Sequence, residues 1–179
     1  MILDSQLSFV PVGAPLSLVT AGTQNIASNV LDGLGVGVGQ PPPNIIGNAS
    51  LFGADLGVGG LTPFIEAVLG AACTGGTSLN VALQAAPDTG AAGGFLPGTW
   101  TIIEETGPIT VAGGTLTLGQ ILARFVFSPS YPANQRPRYY RLLFQVVGAM
   151  TGGNVAYAIV TMVRDDQANK NATKNFTVS

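Results

Sequence analysis

The chain of 179 residues has no histidine, a single cysteine and only 9% charged residues. Without histidine, the commonest general base and the commonest zinc ligand are both missing. The lone Cys73 excludes an internal disulfide and a cysteine-rich metal site. As a nucleophile it would need lysine or a carboxylate as its base, so within Gly70–Gly76 it reads as a small buried hydrophobe. Seven Lys and Arg against nine Asp and Glu give a net charge of −2, which leaves no bulk positive charge to grip phosphate backbones. No run of 18 apolar residues suggests a membrane span. Met1-Ile-Leu-Asp4 lacks the basic and apolar regions of a secretory signal. The expectation is a soluble protein made in a reducing cytoplasm, not an enzyme, with no cofactor, metal or catalytic residue.

What is abundant is apolar surface and glycine: 46% of residues are apolar, with 25 Gly and 12 Pro. So much apolar surface with so little charge argues against charge-driven disorder and has to be hidden in a core or an interface. A chain of this length suits one domain, able to bury about two-thirds of its surface on folding.

Gly, Pro or β-branched residues interrupt almost every window before helical periodicity accumulates. Strand signals are frequent. In Thr77–Gln84, Leu79, Val81 and Leu83 share one face while Ser78, Asn80 and Gln84 share the other. Tyr139–Val147 and Val155–Val163 read as a hairpin joined by the turn-rich residues 148–154. Weaker strands are expected at Leu7–Val12, Leu16–Thr20, Asn25–Leu31, Phe64–Leu69 and Thr99–Glu105. Leu116–Phe127 is ambiguous, because Thr117–Arg124 also suits a short helix. Short strands bounded by Gly or Pro predict an all-β fold, an antiparallel sandwich or jelly roll over residues 1–164. A Gly/Pro-rich loop at 33–50 and a polar C-terminal arm at 165–179 complete this organisation.

Few residues invite a chemical role. Gly33, Gly35, Gly37 and Gly39 loosely mimic a phosphate cradle, but no Gly-Lys-Ser/Thr follows and Pro41–Pro43 forbid a helix downstream. The stretch reads as a surface excursion able to order on a partner. Glu104 and Glu105 alternate on a strand and so point to opposite faces, a poor arrangement for paired acid and base; Asp165-Asp166 read as solvated. Arg136-Pro-Arg-Tyr-Tyr-Arg-Leu-Leu-Phe144 mixes cations and aromatics, yet its alternation puts Tyr140, Leu142, Phe144 and Val146 on an apolar stripe. That is a core strand with a basic lead-in rather than a platform for nucleic acid. Asn-x-Ser/Thr matches at Asn48, Asn171 and Asn175 are incidental in so Asn- and Thr-rich a chain. The apolar starts and ends, Met1-Ile-Leu and Phe176 with Val178, suit either terminal strands at a sheet edge or hooks for a partner.

Three groups of residues carry a resemblance. Asp4-Ser-Gln-Leu-Ser-Phe9, followed by Ala27-Ser-Asn-Val-Leu-Asp32, opens the pattern. Asp55-Leu-Gly-Val-Gly-Gly-Leu61 leads into Phe64-Ile-Glu-Ala-Val68. Arg138-Tyr-Tyr-Arg-Leu-Leu-Phe144, a glycine-rich turn and a last apolar strand close it. In order and spacing they resemble the jelly-roll cement, or decoration, proteins of tailed-bacteriophage capsids. The resemblance implies a structural protein on the outer surface of the virion capsid, bound in many copies to the major capsid protein. It also implies association with itself, as a dimer rather than a trimer, without direct contact to nucleic acid or membrane. The expected contacts are Ile2, Leu3, Val36, Val38, Pro42, Arg136, Lys170, Lys174 and Phe176, on the arms, the 33–50 loop and the basic lead-in. A carbohydrate-binding jelly-roll module of a phage tail or adhesion structure is the alternative, with Trp100 beside Glu104 and Glu105 as its candidate cluster. In the cement reading, Trp100 packs inside the sandwich. A third possibility is an enzyme working with carboxylates alone.

Overall fold

The computed structural model describes residues 8–32, 63–89, 96–114, 116–127 and 137–161. These residues form strands and no helix, so none is long and apolar enough to cross a membrane as a helix. The strands are β1 (Ser8–Val10), β2 (Leu16–Ser17), β3 (Gln24–Ala27), β4 (Leu31–Asp32), β5 (Phe64–Gly75) and β6 (Ser78–Ala86). They continue with β7 (Thr101–Glu105), β8 (Ile109–Thr110), β9 (Ile121–Val126), β10 (Tyr139–Val147) and β11 (Met150–Thr161). One sheet runs β1-β11-β5-β9 with β2 also on β11. The other runs β3-β10-β6-β7 with β4 also on β10 and β8 on β6, and all pairs are antiparallel.

The register reduces this to a single plan. β5 and β6 are one length of chain folded over at Gly76-Thr77, and β10 and β11 are another folded over at Gly148-Ala149. Phe64 pairs with Thr161, Gly75 with Met150, Ser78 with Val147 and Ala86 with Tyr139. The two lengths are thus one antiparallel ribbon bent in the middle. Its ladder continues around the bend, where the Gly76 and Thr77 amides donate to the Ala149 and Val147 carbonyls at 2.6 and 2.7 Å. Residues 8–32 flank one side of the ribbon in both sheets, and residues 101–127 flank the other. Four lanes folded once give two stacked sheets with the winding order of a jelly roll. Glycine is needed at the bend. Gly75 has φ +70°, and a Cβ there would lie 2.7 Å from the Ala149 carbonyl oxygen.

Alternation fills the space between the sheets as the sequence predicts. Leu79, Val81 and Leu83 from β6 and Tyr140, Leu142, Phe144 and Val146 from β10 join Ile65, Leu69, Phe125 and Val155 in one buried cluster. Cys73 belongs to the same core. The ring of Phe127, at the end of the first sheet, meets that of Tyr140 in the second edge-on, with centroids 4.8 Å apart. That contact closes the end of the sandwich opposite the bend. Here the described strands begin or stop: near Ser8, Asp32, Pro63, Ala86, Thr101, Phe127, Arg138 and Thr161.

Two expectations are corrected and one ambiguity is resolved. The strand at 139–147 exists, and the one expected at 155–163 is β11 as far as Thr161, its last two residues lying outside the described ones; but β11 begins at Met150 and lies in the other sheet from β10, so the two form a bend and not a hairpin. Their apolar faces oppose one another across the core, and each strand finds its hydrogen-bonding partner in residues 64–86. Thr117–Arg124 forms no helix: a turn through Gly119 (φ +80°) leads into β9, which pairs with β5. Pairing and burial of Leu122 and Phe125 override the local helical preference. Asn25–Leu31 is two short strands, β3 and β4, rather than one, while the strand expected at 64–69 continues to Gly75. The domain boundary at 164/165 lies outside the described residues.

Candidate functional site

Ile2, Leu3, Val36, Val38, Pro42, Arg136, Lys170, Lys174 and Phe176, the contacts expected from the sequence, all lie outside the described residues. The described residues that flank them can be placed. Ser8, Asp32, Pro63, Pro137 and Thr161 all stand at or near the end of the sandwich away from the bend, because Asp32 pairs with Tyr139 and Phe64 with Thr161.

At that same end, the outer face of the second sheet carries a cluster of cations and aromatics. Side chains at 139, 141, 143 and 145 alternate outward from β10, opposite the core stripe. Arg138 is 7% exposed, donates to Asp88 Oδ2 at 2.5 Å and lies 5.2 Å from the Tyr139 ring centroid. Arg141 is held differently. Its Nε donates to Gln84 Oε1 at 2.8 Å, and its guanidinium carbon sits 4.2 Å from the centroid of Trp100. Such stacking contributes about 0.5–1 kcal/mol at exposed sites. Gln84 is directly opposite Arg141 in the ladder and is 7% exposed, which makes it a rigid anchor. Partial burial lowers the pKa of Arg141 by desolvation.

Trp100 therefore lies on the outer face rather than inside the sandwich, a correction to the sequence reading. It directly precedes edge strand β7, and the core between the sheets is already filled by the inward-facing side chains of the central ribbon. One face of the indole is covered by Arg141, which limits its use as a sugar-stacking platform. Glu105 accepts from Asn80 Nδ2 at 2.9 Å, and Asn80 also donates to Gln145 at 2.7 Å. This polar row crosses three strands and holds Glu105 apart from the Arg141 cluster. Glu104 and Glu105 remain adjacent residues of one exposed strand.

The sheet margins form a second feature. β7 is exposed along its whole length and lies at the edge of its sheet, with Ile102 44% and Ile103 37% exposed. Exposed Leu118, Ile121 and Val126 continue apolar surface along the same lane, and Val12, Val19 and Val30 lie on the opposite lane. An edge strand with open backbone groups and apolar side chains is a natural place for another chain to join. Sequence reasoning missed both features. Arg141 and Trp100 are far apart in the chain and meet only through the pairing of β10 with β6 and of β6 with β7. The edge position of β7 likewise depends on topology.

Elsewhere the ionisable groups read as structural. Arg124 and Glu66 form an exposed ion pair at 2.6 Å. Burial raises the pKa of Tyr157, with a smaller contribution from the charge of Glu66. Burial also raises that of the Cys73 thiol, which disfavours the nucleophilic thiolate. Among the described residues no group of three or more His, Cys, Asp or Glu side chains is placed to hold a metal ion. No protein-family model matches the chain, and no curated protein matches it in sequence.

Proposed function

We propose that the protein is a structural cement: a jelly-roll module that binds the outer surface of a tailed-phage major capsid protein lattice and strengthens it across neighbouring capsomers. The observation that carries this reading is the polarity of the sandwich. The described strands hand the chain over to residues 1–7, 33–62, 128–136 and 162–179 at one end, away from the glycine bend. The chain thus enters and leaves these lanes at the same end of a well-filled body. The resemblance of residues 4–9, 27–32, 55–68 and 138–144 to capsid decoration proteins supplies the identity of the partner.

Physical chemistry supports the same role. A protein with little charge and exposed apolar edges gains from being covered by neighbours. Many modest contacts repeated over a lattice raise effective concentration and resist opening of the shell. Self-association through the open edges fits a module that bridges capsomers.

Co-sedimentation with purified shells lacking this protein tests the proposal. The full chain is expected to bind saturably and to raise the temperature at which the shells rupture, and removal of residues 165–179 is expected to weaken binding. Failure of the full chain to bind, or undiminished binding without the tail, would contradict the cement role or the arm contact respectively. The carbohydrate-binding alternative makes a separate claim: Trp100→Ala would abolish glycan binding and leave shell binding intact.

A further inference from the structure

We infer that Arg141, stacked on Trp100 and anchored by Gln84, receives the carboxylate of an extended acidic peptide segment from a partner protein, laid along edge strand β7. The described arginines are Arg124, Arg138 and Arg141. The first two have carboxylates at 2.6 and 2.5 Å. No carboxylate among the described residues pairs with Arg141. Its Nε is engaged by a nearly buried amide and one face is engaged by an indole, which fixes the plane of the guanidinium. The terminal nitrogens then present parallel donors in the geometry that suits a carboxylate. Desolvation already penalises the charge at this position, and an incoming anion would relieve that penalty.

The neighbouring strand indicates a peptide rather than a small acid. Trp100, stacked on the arginine, leads directly into β7, and Ile102 pairs with Gln84 on the side away from Arg141, so the exposed edge of β7 starts one strand beyond Gln84. On that edge no further strand pairs with β7 among the described residues, and it carries the apolar side chains of Ile102 and Ile103. An extended segment can add to it as a further strand. Charge fixes the direction of such a segment: its acidic residue lies toward Arg141, and a basic residue is favoured toward Glu104 and Glu105. With a net charge of −2 the protein has no bulk attraction for acidic ligands, so any affinity must be local.

Trp100 is the single tryptophan of the chain and reports on the site directly. The test titrates the full-length protein with acetyl-Glu-Val-Thr-Val-Thr-Lys-amide at millimolar concentrations while following tryptophan emission. A saturable change is expected. The same peptide with Gln in place of Glu should bind roughly tenfold or more weakly, as loss of a charged hydrogen bond implies. Arg141→Gln and Arg141→Lys should both show that loss while retaining a cooperative thermal melt. Equal response to the Glu and Gln peptides, or no response to either, overturns the proposal without relying on any variant. Acetate reproducing the whole response at matched carboxylate concentration would overturn the peptide assignment.

Discussion

Residues 64–86 and 139–161 pair along their whole length from Phe64 and Thr161 to Ala86 and Tyr139, with register shifts between Met150 and Tyr157, whereas the flanking lanes, 8–32 and 101–127, pair in pieces of two to six residues. The central lanes hold most of the fully buried side chains. Val147, beside the bend, is their one contribution to the large exposed apolar residues described. The flanking lanes and the β6–β7 connection supply the rest. The division is physical: a lane paired on both sides and covered on its inner face is committed to stability, while a lane paired on one side keeps groups available to a partner. The molecule thus separates the lanes that hold it together from those that leave apolar side chains exposed.

Core truncation tests the stabilising half of this contrast most strongly. Phe144 is fully buried in β10, and Phe144→Ala is expected to reduce stability by about 3–5 kcal/mol, read from urea unfolding. Ile103→Ala on the open edge should change it by about 0.5 kcal/mol. Equal losses at the two positions would break the comparison.

The bend comes next. At Gly75 an alanine meets both an unfavourable positive φ and the Ala149 carbonyl. A penalty of about 1–2 kcal/mol from backbone handedness alone is expected, increased by the close approach. The same unfolding measurement on Gly75→Ala checks it.

Ile103→Lys sharpens the other half. It should leave monomer stability within about 0.5 kcal/mol, since charged residues are tolerated on edges, but should weaken self-association in sedimentation velocity. Loss of folding with no specific effect on association would assign β7 to the stabilising part.

A smaller effect is expected from pH. Burial makes the Cys73 thiol and the Tyr157 hydroxyl hold their protons more tightly in the folded protein. The unfolded chain therefore ionises first. Their contribution is fully present below the ordinary thiol value of 9.0 and is lost as pH rises through the raised folded values. Unfolding free energy measured from pH 7 upward should stay level and then fall, and Cys73→Ala should flatten the first part of the decline. The smallest change is expected from Glu66→Gln at the exposed pair with Arg124, about 0–1 kcal/mol in the same unfolding assay.

The central ribbon was the most legible part of the sequence, for a clear reason. Alternation in 77–84 and 139–147 follows from one buried face per strand, and that face is the core. Which strand pairs with which was not legible, since Tyr139–Val147 and Val155–Val163 have the pattern of a hairpin, while β10 and β11 become a bend because each pairs with residues 64–86. The segment before β9 was ambiguous for a related reason: Thr117–Arg124 has a local helical rhythm that long-range pairing overrides. The Arg141–Trp100 stack was hidden because its partners come from different lanes. Its only sequence trace is the outward parity of Gln84 and Arg141, which has meaning once their register is known.

Cryo-electron microscopy of tailed-phage shells saturated with this protein tests the polarity of the sandwich most directly. The predicted result is a regular array of jelly rolls on the outer shell, with the Phe127–Tyr140 end against the capsid lattice and the Gly76–Gly148 bend facing solvent. An array with the bend against the shell, or density confined to a tail or fibre, would contradict it.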